Sequence, residues 1–216
     1  LGKIQDIYPA VTEEYRTATG RNPYERIDFW YMEAKAMNAC MNADAGLNTP
    51  AGYFWINKWG SARYNTAAQF CALVYDKYQK GKDLYNTENK DYTFSKWALG
   101  QMEYLIGDNP INRCYVVGYG DNAAKYPHHR AASGLTKCED TSPQKHVLYG
   151  ALVGGPDDKD QHNDVTKDWV YNEVTIDYNA AFVGACAGLY NFFGDKTMQP
   201  QKDFPPAEAQ SDDTLI

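Results

Sequence analysis

The sequence predicts an all-α fold. Four segments repeat apolar side chains at the helical period, and Gly or Pro closes three of them. The connections between them are long and carry Gly and Asn, as loops joining substantial helices do.

The first predicted helix covers residues 25–42, with Ile27, Trp30, Tyr31, Ala34 and Met41 at helical spacing. The second covers 62–80 on a stripe of Ala67, Phe70, Cys71, Val74 and Tyr78, and Gly81 stops it. The third covers 93–106, with Phe94, Trp97, Ala98, Gln101 and Leu105 on one face and Gly107 and Pro110 beyond its end. The fourth covers 176–193 on Tyr178, Ala181, Phe182, Ala185, Leu189 and Phe192, ended by Gly194. Two stretches, 107–137 and 150–172, show no convincing helix. Loops of that length in a compact domain are usually functional, and these hold the polar clusters. From Thr197 onward, Pro200, Pro205, Pro206 and Asp212-Asp213 read as a linker, which divides the chain into 1–196 and 197–216.

A net charge of -7 and a pI near 5.1 argue against a nucleic-acid partner, which needs clustered Lys and Arg. No apolar run approaches the roughly 20 residues that cross a bilayer. The start, Leu1-Gly2-Lys3-Ile4, shows no signal peptide, as a processed precursor or a cut from a longer chain also would not. None of the five cysteines forms a C-x-x-C pair, so a zinc or redox centre is not indicated. Cys40, Cys71 and Cys186 lie in apolar helical patterns and read as small buried residues. Cys114 and Cys138 lie in loops, free or paired according to the redox compartment. The 18 Tyr and 5 Trp are the unusual part of the composition. Among the loop rings, Tyr53, Trp55, Trp59, Tyr119 and Tyr126 offer flat apolar faces with polar tips, suited to stacking on pyranose rings.

The densest polar pattern is D-x-x-x-x-W-x-x-x-E-x-T-x-x-x-N-A, placing Asp164, Trp169, Glu173, Thr175 and Asn179 just before the last helix. A second element runs from Cys114-Tyr115-Val116-Val117-Gly118-Tyr119-Gly120 to His128-His129-Arg130. Carboxylates, rings and a His/Arg pair gathered in loops suit work on a sugar polymer. Taken alone, Glu173 is a helix-start carboxylate favoured by the dipole; the 128–130 cluster admits a solvated basic patch, but three cationic-capable residues in a net acidic chain favour binding. Trp59 admits a core reading, but its place beside Gly60 and ahead of a helix bearing Arg63 favours stacking in a cleft, whereas Tyr178 reads equally as core. Asp157-Asp158-Lys159-Asp160 has carboxylates suited to calcium but lacks EF-hand spacing, so a solvated loop is the simpler reading.

Several ordered motifs together resemble glycoside hydrolase family 9. They are Trp59-Gly60-Ser61-Ala62-Arg63-Tyr64, Gln101 through Gly107-Asp108-Asn109-Pro110, Tyr115 through Gly120, Pro127-His128-His129-Arg130, and Gly154-Gly155-Pro156-Asp157 through Glu173 to Tyr178-Asn179-Ala180. The resemblance spans roughly residues 50–194. It implies an (α/α)6 toroid of six helix pairs, of which this chain is a C-terminal portion with long cleft-forming loops. It also implies inverting hydrolysis of β-1,4-glucosidic bonds in cellulose, outside the cell. By the same resemblance Glu173 is the general acid, with Asp164, as a neighbouring charge or an anchor, and His128 grouped beside it as catalytic. Arg130, Trp59, Arg63 and Tyr178 are substrate-binding; no residue is assigned to a metal. No cofactor is needed for the chemistry, and the family's structural calcium has no residues assigned here. The implied partners are cellulose or cello-oligosaccharides, the N-terminal half of the same module and, from Phe204-Pro205-Pro206-Ala207-Glu208, an adjacent cellulose-binding module.

Two departures stand out. His162 occupies the place of an aromatic two residues before Asp164, which bears on local packing. The family's D-A-G-D element, which carries the catalytic base, has no counterpart. Asp44-Ala45-Gly46-Leu47 lacks the second aspartate and reads as a helix-end turn. Inversion needs a second carboxylate about 6.5 to 9.5 Å from the acid, so that group is expected on another segment. The rival readings are a non-catalytic carbohydrate-binding fragment and a structural half-domain. A partial toroid is further expected to expose apolar helix faces.

Overall fold

The computed structural model describes Thr17 and residues 47–79 and 94–195. The expected 25–42 helix, Cys40, the turn at 44–46, the Gly81 stop and the tail from 197 lie outside the described residues.

The described helices are α1 (Ser61–Gln79), α2 (Phe94–Ile106), α3 (Arg130–Ser133), α4 (Trp169–Asn172) and α5 (Ile176–Phe193). The second, third and fourth predicted helices thus stand, with boundaries moved by at most one residue. Each long loop contains one four-residue turn of helix, α3 and α4, that periodicity cannot reveal. Extended pairing among the described residues is limited to isolated bridges, including Val116 with Leu152 and His128 with Glu173. No described helix is long and apolar enough to cross a membrane.

α1 is the shared partner of α2 and α5. Phe94, Trp97, Ala98, Gln101 and Leu105 of α2 are all buried, as their spacing predicts. On α5, Tyr178, Ala185 and Leu189 are buried. Gly184 and Gly188 face Phe70 and Leu73 of α1, where an added Cβ would come within 2.9 Å, so the two helices approach through glycine. Each fully buried large apolar side chain here, such as Leu73, contributes about 1.5–3 kcal/mol. The opposite side of α5 exposes Ile176, Val183, Tyr190 and Phe193, the uncovered apolar face expected of a partial toroid.

α1 corrects the reading of its buried face. Ala67 and Phe70 of the predicted stripe are exposed, whereas Ser61, Asn65, Thr66 and Gln69 are buried. Those polar groups are hydrogen-bonded, which removes most of their burial cost. Asn65 donates to the Phe54 carbonyl at 3.1 Å and to Gln101 Oε1 at 2.7 Å, Gln69 donates to Asn65 Oδ1 at 2.6 Å, and Ser61 donates to the Pro156 carbonyl at 3.0 Å.

Three further expectations change. Tyr53 is fully buried and lies 4.6 Å, centroid to centroid, from Tyr104, so it belongs to the core and not to a sugar platform. Cys186 is exposed, and Cys71, Cys114, Cys138 and Cys186 form no disulfide with one another. The 157–160 loop is only partly solvated: Asp160 is buried with positive φ, and its carboxylate accepts from the Thr49 hydroxyl, from Ala51 N at 2.9 Å and from the Tyr104 hydroxyl at 2.7 Å. Asp157 instead caps its own turn, accepting from Lys159 N and Gln161 N, both at 2.8 Å.

Candidate active site

The site forms where the two long loops meet the N-termini of α1 and α5. Thr175 caps α5, its hydroxyl accepting from Tyr178 N at 3.1 Å, so the chain leaves the loop at Glu173 in extended conformation and turns into the helix at once. Glu173 is half-buried. Its backbone pairs with that of His128 in a parallel bridge, in which His128 N donates to the Asn172 carbonyl at 2.7 Å. Glu173 and His128, far apart in sequence, are therefore fixed side by side.

Two side chains converge on one oxygen of the Glu173 carboxyl. Trp59 Nε1 donates to Oε2 at 2.8 Å and the Tyr178 hydroxyl donates to the same atom at 3.1 Å. Trp59 remains 44% exposed, enough to present a ring face outward, and its edge packs on Trp169 with centroids 4.9 Å apart. Tyr178 is fully buried; burial, then the Glu173 charge, pushes its hydroxyl well above the ordinary phenol value, so it stays a donor at working pH.

Gly60 makes that contact geometrically feasible. It has φ of +63°, and a Cβ there would lie 2.5 Å from Tyr178 Cζ. Gly60→Ala is expected to lose about 2 kcal/mol through left-handed strain and crowding. It should displace the Tyr178 ring and reduce activity. Denaturant unfolding checks the first effect; an unchanged midpoint would contradict it.

Arg63 is held by the protein itself. Its guanidinium pairs with Asp177 at 3.1 Å, donates to the Trp59 carbonyl at 3.2 Å and lies over the rings of Tyr64 and Tyr178 at 4.8 and 5.2 Å. Arg130 begins α3 and is exposed. Between it and His128, His129 caps α3, its Nδ1 accepting from Ala132 N at 3.1 Å. His128 Nδ1 meets the Thr166 carbonyl at 2.5 Å; that partner can only accept, so Nδ1 carries the proton.

Asp164 makes no hydrogen bond to Glu173. Its carboxylate accepts from Lys125 N at 2.8 Å and Tyr126 N at 3.0 Å, and pairs with Arg113 at 3.3 Å. Of the two roles the spacing left open, these contacts are those of an anchor for the strand entering Pro127-His128. Spacing gave no signal for Asn172, Asp177 or Gln144. Gln144 donates to the Pro127 carbonyl at 2.7 Å and to Thr166 Oγ1 at 3.1 Å, bracketing His128 from both sides.

His162 packs edge-on to Tyr115 at 5.1 Å, keeping a ring where the aromatic was expected. Burial lowers its pKa below 6.5, opposed by the Asp164 charge and reinforced by Arg113. The unfolded chain therefore takes up this proton first as pH falls. The stability tied to the neutral ring is whole above about pH 6.5 and is lost as pH drops through the lower folded value. Denaturant midpoints between pH 7.5 and 5.5 should fall less steeply in His162→Phe; equal slopes would overturn this. Among the described residues, no group of three or more His, Cys, Asp or Glu side chains is arranged to hold a metal ion.

With α2 antiparallel to α1, α5 parallel to it and a carboxyl between ring donors at the loop end, the arrangement is that of a segment of a helical toroid. The chain belongs to glycosyl hydrolase family 9, whose sequence model matches residues 7–186. It is 42% identical over 170 residues to Endoglucanase A of Bacillus pumilus, covering 78% of this chain and 25% of that protein. Endoglucanase B of Cellulomonas fimi is 38% identical over 171 residues, covering 78% and 16%. The catalytic domain of Clostridium thermocellum CelT superposes with a TM-score of 0.74 at 53% identity, covering 94% of this chain and 40% of that one. The cellulase Cel9M of C. cellulolyticum, solved with cellobiose, superposes at 0.65 with 37% identity, covering 86% and 39%. The chain thus spans two fifths or less of these relatives.

Proposed function

We propose that this chain supplies the general acid and one wall of the substrate cleft for inverting hydrolysis of β-1,4-glucosidic bonds in cellulose. Glu173 carries the reading: it is half-buried, held at one oxygen by two donors, and bridged through its backbone to His128. Such a carboxyl can protonate a departing glycosidic oxygen. His128 Nε2, Arg130 and the outer face of Trp59 address sugar hydroxyls and ring faces, while Arg63 and Tyr178 orient the acid and its neighbours. The carboxylate that activates water belongs to another segment, consistent with a chain shorter than its relatives. Cello-oligosaccharides are the small ligands, as cellobiose is in the Cel9M structure. The chemistry calls on carboxyls and water; calcium would act structurally, and 197–216 would lead as a linker toward a cellulose-binding module. The setting is outside the cell, where the polymer lies. Glu173→Gln in the active polypeptide is the test: cleavage of polymeric glucan should be lost with binding retained, and unimpaired turnover would overturn the proposal.

A further inference from the structure

We infer that Trp59 is a positioning residue that, with Tyr178, holds Oε2 of Glu173 as the accepting oxygen and so places the transferable proton on Oε1. The inference rests on the reading of Glu173 as the acid.

An indole N–H can only donate, so Trp59 at 2.8 Å requires a lone pair on Oε2. The Tyr178 hydroxyl, kept protonated by burial, directs a second hydrogen at the same atom at 3.1 Å. In a neutral carboxyl the carbonyl oxygen is the good acceptor and the hydroxyl oxygen the poor one. Two donors on one oxygen therefore select Oε2 as the carbonyl. Both hydrogen bonds to the Glu173 carboxyl among the described residues fall on Oε2, which leaves Oε1 to meet the substrate. The proton then passes from Oε1 to the glycosidic oxygen as the bond to the anomeric carbon breaks, its electron pair going to that oxygen. Attacking water forms the new bond on the opposite face and gives its proton to the carboxylate supplied by the other segment. Glu173 is left as a carboxylate whose new charge meets two donors already aligned, so no reorganisation is needed. The sugar-facing ring of Trp59 and its acid-facing N–H are separate functions of one side chain.

Trp59→Phe removes the N–H and keeps a ring. It should be assayed in the active polypeptide on two substrates. Cello-oligosaccharide has a leaving oxygen that must be protonated; 2,4-dinitrophenyl β-cellobioside has one that departs without help. A hydrogen bond to a charged group corresponds to a roughly 10- to 100-fold effect. The expected result is a kcat lower by about that factor on cello-oligosaccharide, with kcat on the dinitrophenyl substrate changed less than about threefold. Equal losses on both substrates, or a rise in KM alone, would mean that Trp59 only stacks, and the inference fails. Tyr178→Phe should give the same split and serves if Trp59→Phe does not fold. Glu173→Gln separates the two levels. A split there without one in Trp59→Phe removes only this inference; full oligosaccharide cleavage by Glu173→Gln removes the assignment beneath it.

Discussion

Replacing Glu173 with glutamine is expected to slow cleavage of polymeric β-1,4-glucan by about 10²- to 10⁴-fold, the usual scale for one general acid. The amide has nearly the shape of the carboxyl, and its oxygen can still accept from Trp59 and Tyr178, whose donors now sit 2.8 and 3.1 Å from Oε2. Geometry should therefore persist while the transferable proton is gone. Binding of cello-oligosaccharide, measured by calorimetry on the same variant, should change little, because the Trp59 face, His128 and Arg130 are untouched. Loss of binding together with turnover would point to a collapsed site, and the melting temperature would show it. Retained turnover would remove Glu173 from the chemistry.

Asp160→Ala is expected to be a strongly destabilising change, at about 3–5 kcal/mol. The carboxylate is buried and accepts from three groups: the Thr49 hydroxyl, Ala51 N and the Tyr104 hydroxyl. Each buried donor left without a partner costs about 1–3 kcal/mol, and the three are coupled, so their sum is an upper bound. The consequence reaches the core, because Tyr104 lies against Tyr53 at 4.6 Å and stacks parallel to Tyr115 at 6.3 Å. Asp160→Asn keeps one accepting oxygen and should lose less. Chemical denaturation gives the comparison; a loss under about 1 kcal/mol for the alanine variant would show that water satisfies the freed donors.

The core-facing apolar side chains of α2 and α5 were legible from spacing alone. Phe94, Trp97, Ala98 and Leu105 on α2, and Tyr178, Ala185 and Leu189 on α5, go where a 3.6-residue period sends them. α1 was misread for a definite reason. Its buried face mixes Ala62, Ala72, Leu73 and Tyr75 with Asn65, Thr66 and Gln69, and the polar three are inside because each finds a hydrogen-bond partner. A hydropathy period cannot register hydrogen-bond partners, whether within the helix, as for Thr66 with the Ala62 carbonyl and Gln69 with Asn65, or on other segments, as for Asn65 with the Phe54 carbonyl and Gln101. The same limit hid Asp160, an acidic residue in an acidic loop, whose three donors come from residues 49, 51 and 104.

What the linear sequence determined is the all-α class, the course of three of its helices, and the roster of polar residues in the loops between them. Local spacing and motif order suffice for those, since helix period, stop residues and contiguous patterns are short-range properties. Tertiary structure alone decided what each polar residue faces. It brought His128 beside Glu173, aimed Trp59 and Tyr178 at a single oxygen, turned Asp164 toward Lys125 and Tyr126, and spent His129 on a helix cap. Hydrogen bonds act over about 3 Å between groups far apart in the chain, and only the folded path sets those distances.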